Sequence, residues 1–298
     1  VPQVVVAPQP VVAPQQVAVG LVAGGGGGLT QAQAAAMMQA KFRGKQVRNH
    51  AEMAGLNVGR GSVAPSVRPP LVRGESGEDA PRVALDPESE EYVKMENEFK
   101  KGLYPSDIAR LRIQTIERIN VPDIRDQYDL IVKQMTRREK KRAQAGLPSI
   151  DPRKIEKLWV FHACAGEVVD NIMANGFNRS YAGKNATVYG PGVYFARDTS
   201  YSARGTYSPP DAHGNKHIFM CRLALGAHTD VKPNQWTLPE PPVRDKERLL
   251  GVGELKYDST TNGLERYNPP EDPNGEPEIM VAYKDNQAYA EYLVTFRM

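Results

Sequence analysis

Residues 157–166 read KLWVFHACAG, an apolar run that carries His162 and Cys164 two positions apart. In a strand, residues two apart share a face, so the two could be a base and its nucleophile. That chemistry also needs a third group to orient the imidazole and donors for an oxyanion, and the sequence marks neither. Cys164 therefore reads as a small hydrophobe packed in a core. His213, His217 and Cys221 have the four-residue spacing of helical metal ligands, but PPDAHGN is a turn and IFMCRL a strand, so they share no helix face and no metal is expected. Gly190, Pro191 and Gly192 precede a strand instead of opening a helix, the wrong order for a dinucleotide fingerprint, and read as a turn. The run Gly24–Gly28 lacks the GK[ST] ending of a phosphate loop and reads as a spacer.

The denser signal is GFNRSYAGKNATVYGPGVYFARDTSYSARGTYS, where Tyr181, Tyr189, Tyr194, Tyr201 and Tyr207 crowd around a Gly-rich loop. Phenol faces with interspersed hydroxyls and backbone amides suit a flat heteroaromatic ligand, and a cationic ring gains further from them. Ordinary half-buried strand tyrosines would give the same composition, so this stretch alone leaves both readings open.

The elements that must position these residues begin near residue 82. LDPESEEYVKMENEFKKG predicts a helix capped by Asp86, with Pro87 in its first turn and Lys100, Lys101 and Gly102 closing it. RLRIQTIERIN reads as a strand. NVPDIRDQYDLIVKQMTRREKKRAQAG reads as a second helix with Ile124, Tyr128, Ile131 and Met135 on one stripe, and its RREKKR end as a solvated basic terminus. LWVFHA, VYFA, IFMCRLALG, IMVAY and AEYLVTF read as strands, EVVDNIMANG as a short helix ending at Gly176, and the Pro-rich stretch from about 228 to 277 as an interruption. Together these make an α+β domain with an antiparallel sheet.

Residues 1–80 differ: VPQVVVAPQPVVAPQQVAVG has no helical or strand periodicity, and RGSVAPSVRPP closes the region. They read as a disordered low-complexity linker with at most a short helix at TQAQAAAMMQAKF, and its basic KFRGKQVRNH as a solvated tail. With 38 basic against 35 acidic residues the net charge is +3, too small an excess to indicate a nucleic-acid partner. Two cysteines in 298 residues, without a long apolar run, point to an intracellular protein, cytoplasmic or nuclear, with no membrane partner. The first residue is valine, as expected of a piece cut from a longer chain.

From about residue 82 to the C-terminus the chain resembles the catalytic domain of the poly(ADP-ribose) polymerase family, closest to its macrodomain-containing mono-ADP-ribosyltransferase branch. The motifs that carry the resemblance are IERINVPDI, FHA, NGFNRSYAGKNATVYGPGVYFA, SYSARGTYS, DAHGNKHIFMCRLALG and IMVAYKDNQAYAEYLVTF, in that order. The resemblance implies a split-sheet, diphtheria-toxin-like ADP-ribosyltransferase fold over residues 82–298, with NAD as co-substrate and no metal. It implies that His162 bonds the adenosine ribose hydroxyls, and that the backbone of Ala163 and the hydroxyl of Ser202 hold the nicotinamide carboxamide. Tyr194 and Tyr207 would flank the ring. The loop from Asn178 and Arg179 to Gly192 would cover the donor.

Two positions depart from the wider family. Glycine usually follows the histidine, where this chain has Ala163, and an L-residue suits that place only if its dihedrals are ordinary. Polymer-forming relatives carry a glutamate four residues before the aromatic of the motif reading Y-K-D-N here, and that count falls on Ile279, with Glu278 expected to face away. Single ADP-ribose transfer to an acceptor protein is the expectation. A binding-only module and a chain-extending polymerase are the alternatives, and NAD consumption and product length separate them.

Overall fold

The computed structural model describes residues 81–181, 188–232, 240–245, 254–263 and 277–298. The linker expected over residues 1–80, and the short helix within it, lie outside the described residues.

Helix α1 (Glu90–Lys101) forms as expected but is capped by Ser89, whose hydroxyl accepts from Tyr92 N at 3.1 Å. Asp86 is not the cap, because its carboxylate already folds back onto Glu88 N at 3.0 Å in a turn that Pro87 occupies. A short helix, α2 (Pro105–Arg110), follows with proline at its first position, where the missing N–H costs nothing. Helix α3 (Pro122–Gln144) buries Ile124, Tyr128 and Met135 on one stripe. Its basic end is not simply solvated. Glu139 and Arg142 are buried, and the Glu139 carboxylate accepts from both terminal nitrogens of Arg244, at 2.7 and 3.0 Å, and from Ile150 N at 3.0 Å. Arg138 beside it reaches the buried carboxylate of Asp258.

Among the described residues nine strands form one sheet. The first half runs β1 (Arg82–Ala84), β2 (Arg112–Ile119), β11 (Ala288–Arg297), β5 (Lys216–Ala224), β3 (Glu156–Cys164). The second half runs β4 (Val193–Ala196), β10 (Ile279–Ala282), β9 (Ser259–Thr261), β6 (His228–Asp230). All neighbours are antiparallel except β6 and β9, which run parallel. A separate hairpin-like pair joins β7 (Val243–Asp245) to β8 (Leu255–Lys256). The described residues of the Pro-rich stretch thus hold four short strands that its sequence did not announce. β9 and β6 join the main sheet through β10, and β7 and β8 pair with each other, contacts that local pattern cannot reveal.

Alternation along β5 assigns the two faces. Ile218 and Met220 face a cluster with Met95 and Phe99 of α1, whereas Phe219, Cys221 and Leu223 face one with Val169 and Ile172 of helix α4 (Val169–Asn175). Helix α4 ends on Gly176 with φ +67°, as its Asn-Gly ending predicts. The two halves meet at β3 and β4, whose ladder is a single pair, Phe161 opposite Ala196. The split expected of the sheet therefore takes the form of a joint one residue pair long.

Candidate active site

Among the described residues the β3 edge has no strand partner beyond Phe161, and the expected site residues border that gap. His162 and Ala163 are neighbours on a strand, so they turn to opposite faces of the sheet. The His162 ring is wedged edge-on between Phe177 and Phe195, at centroid distances of 5.0 and 5.5 Å. Its Nδ1 lies 2.9 Å from the carbonyl oxygen of Tyr194, across the gap. A carbonyl only accepts, so Nδ1 carries the proton and Nε2 is left with a lone pair. Burial among aromatic rings pulls the pKa below the ordinary value, more than the Tyr194 carbonyl raises it, and the ring is neutral. A neutral Nε2 accepts a hydrogen bond, the role a ribose hydroxyl requires.

Ala163 faces the other way, packed against the cluster that holds Phe161, Ala203 and Ile218. Among the described residues the one non-glycine with positive φ is Asn286, so Ala163 sits in ordinary strand geometry and its methyl is absorbed by packing. Ser202, the last residue of helix α5 (Thr199–Ser202), is buried and donates its hydroxyl to Phe161 O at 3.2 Å, which sets the hydroxyl beside the start of the gap.

Phe161, Ala196, Tyr194 and Ile279 share this face. Ile279 pairs with Ala196, and Val281 with Tyr194. Ile279, Val281 and Tyr283 form an apolar cluster against which Tyr189, Tyr194 and Tyr201 pack. The ring of Tyr207 lies over that of Tyr201 at 4.7 Å, their hydroxyls 2.5 Å apart, and Arg204 covers Tyr201 from outside at 4.9 Å. Burial raises the Tyr194 and Tyr201 phenols far above their ordinary pKa, so both stay protonated. The structure therefore brings Ala163, Tyr194, Ser202, Tyr207 and Ile279 to one side of the joint and His162 to the other.

The loop expected to cover the donor is described at its two ends, and residues 182–187 lie outside the described residues. At its start, Asn178 accepts from Ser180 N at 2.7 Å, and Arg179 N donates to Asp285 Oδ1 at 2.7 Å. Arg179 Nε donates to Pro191 O at 3.1 Å, tying the start to the end. At that end the Tyr194 hydroxyl accepts from Tyr189 N and donates to Gly190 O, at 2.9 and 2.8 Å. The Tyr283 and Thr260 hydroxyls lie 3.0 Å apart and both are within hydrogen-bond reach of Tyr189 O, at 3.1 Å. Gly190, at φ +116°, lies so close that a Cβ would meet the Tyr283 hydroxyl at 2.0 Å. Sequence reasoning missed Tyr283 and Thr260 as loop anchors, since the contact spans 94 residues from Tyr283 and 71 from Thr260.

Cys164 is buried and its thiol is pushed up to about 12, chiefly by that burial, so it is no thiolate nucleophile at neutral pH. His213 lies in a turn, its N–H donating to Asp211, while His217 and Cys221 are four residues apart on β5, about 13 Å along the strand, too far to share a metal. Glu278, on the opposite face from Ile279, is buried and meets Lys157 and Arg197.

The family model for the "Poly(ADP-ribose) polymerase catalytic domain" matches residues 89–298. Human "Protein mono-ADP-ribosyltransferase PARP14" is 34% identical over 215 residues, covering 72% of this chain and 10% of that protein. Mouse "Protein mono-ADP-ribosyltransferase PARP10" is 32% identical over 212 residues, covering 71% and 19%, and mouse "Protein mono-ADP-ribosyltransferase PARP12" is 29% identical over 215 residues, covering 72% and 25%. The chain thus spans a quarter or less of each of these relatives.

Proposed function

The chain belongs to the poly(ADP-ribose) polymerase catalytic domain family, and from that premise we propose that residues 82–298 bind NAD in the gap at the sheet joint and transfer one ADP-ribose unit to an acceptor protein side chain, releasing nicotinamide. The nucleotide spans the joint. His162 Nε2 accepts from the adenosine ribose. The Ala163 backbone and the Ser202 hydroxyl hold the carboxamide, with Tyr194 and Tyr207 beside the ring and Asn178 and Arg179 anchoring the loop above. Nicotinamide leaves neutral from a cationic precursor, so charge develops on the ribose as in glycoside cleavage, and holding both halves of NAD supplies the orientation.

The observation that carries the single-unit reading is the placement of Ile279 among Tyr189, Tyr194 and Tyr201, with Glu278 on the other face. Isoleucine cannot accept a hydrogen bond from an incoming sugar hydroxyl, and the acceptor must bring its own charge. The ordinary backbone of Ala163 supports NAD binding. The two buried free thiols fit a reducing compartment, cytoplasmic or nuclear. No described helix is long and apolar enough to cross a membrane.

Mass spectrometry of the chain after incubation with NAD tests this. Discrete single additions with release of nicotinamide are expected. A ladder of long adducts would establish a polymerase, and NAD binding without nicotinamide release a binding module.

A further inference from the structure

We propose that Glu278 is a positioning residue that fixes the width of the gap by stapling the two half-sheets behind their joint, an inference that rests on the NAD reading above. The half-sheets share one ladder pair, Phe161 with Ala196, which by itself is a pivot. His162 bonded to Tyr194 O lies on the gap side of that pivot. On the other side β3 runs back to Lys157 while β4 continues to Arg197, and Glu278 of the preceding β10 edge sits between them. Its Oε1 takes the Lys157 ammonium, its Oε2 takes Arg197 Nη1 at 3.0 Å, and its carbonyl takes Arg197 N at 3.0 Å. At 1% exposure the carboxylate has no water to replace a lost cation.

A β-bulge in β3 makes the reach possible. Lys157 pairs with Leu223 and Val160 with Cys221, and those two β5 residues face the same core, so Lys157 and Val160 share a face although three positions apart. The extra residue at the bulge re-aims Lys157 onto the side where Glu278 lies. Without it the ammonium would point to the opposite face and the staple would lose its β3 arm. Because Ile279 is the next residue along, holding Glu278 also holds the gap face of β10 against Tyr194.

The test compares Glu278→Gln, Lys157→Met and Lys157→Arg with the full chain, reading nicotinamide release, thermal melting and amide hydrogen exchange over 161–164 and 193–196. Glu278→Gln and Lys157→Met should each lower kcat about tenfold with KM for NAD within about threefold, because NAD still binds but is held away from the reactive geometry. Both should speed exchange in the two segments, and Lys157→Arg should restore rate and protection. If Glu278→Gln does not fold, Lys157→Met, which leaves Glu278 paired with Arg197, carries the comparison. Lower melting with wild-type kcat below the transition would overturn the proposal, as would loss of turnover in Glu278→Gln beside wild-type turnover in Lys157→Met, which would make Glu278 itself a reacting group. If the unaltered chain releases no nicotinamide, the NAD reading fails, and exchange over the two segments alone supports or overturns the staple.

Discussion

A neutral His162 fixes both what the residue offers a ligand and how the fold responds to acid. Its Nδ1 proton is spent on Tyr194 O, so under the proposed NAD reading the ribose would meet an acceptor and gain no charge attraction. His162→Ala should weaken NAD binding by about 1–3 kcal/mol, roughly 5- to 150-fold in Kd, measured by titration calorimetry. Cys164→Ser should change turnover little, because a thiol held up at about 12 takes no part in chemistry near neutrality. A dead serine variant beside an active alanine one would restore the cysteine as nucleophile. The pH dependence follows from the lowered His162 pKa. The unfolded chain binds a proton as pH falls through 6.5 and the folded chain does not, so this residue's contribution to stability is complete above 6.5 and declines as pH falls toward the lower folded value. Melting temperatures of the wild-type chain should drop over that interval more steeply than those of His162→Phe.

Elements were legible where a segment carries its own instructions. Helices α1 and α3 and strands β3, β5 and β11 follow from periodicity and apolar runs, and α4 from its Asn-Gly ending. What escaped depends on partners far along the chain. The single pair at the joint, the bulge beside Lys157 and the parallel pairing of β6 with β9 all need the finished sheet. At the α3 terminus, RREKKR has the composition of a solvated end, and only the arrival of Arg244 about a hundred residues later turns Glu139 inward. That network makes a firm prediction. Burial would raise the Glu139 pKa, and the hydrogen bonds from Arg244, Ile150 N and Arg138 together more than reverse it, so Arg244→Met, which leaves Glu139 only Arg138 and Ile150 N, should cost about 1.5–3 kcal/mol in urea unfolding. Ser89→Ala, which removes a cap from α1, should cost only about 1 kcal/mol.

At the scale of the molecule, all the expected site residues fall between His162 and Ile279, and the strands presenting them belong to one sheet whose outermost strand begins at Arg82. That strand is not dispensable. Arg82 pairs with Ile119, and Pro81 O accepts from Asn120 N at 3.0 Å, so β1 closes the edge of β2 directly ahead of the loop leading into α3. Upstream, the sequence of residues 1–80 repeats Val, Pro, Ala, Gln and Gly without the periodicity that would let it bury a face. We propose that residues 82–298 are the catalytic unit and that residues 1–80 act as a linker. Deleting residues 1–80 while keeping Pro81 should then leave the NAD turnover rate within a few-fold of the full chain, with an unchanged unfolding midpoint. Removing β1 as well should destabilise the sheet edge and lower that midpoint. Should the shorter deletion yield a folded chain without activity, residues 1–80 would have to supply something to the reaction, and the boundary at residue 82 would be wrong.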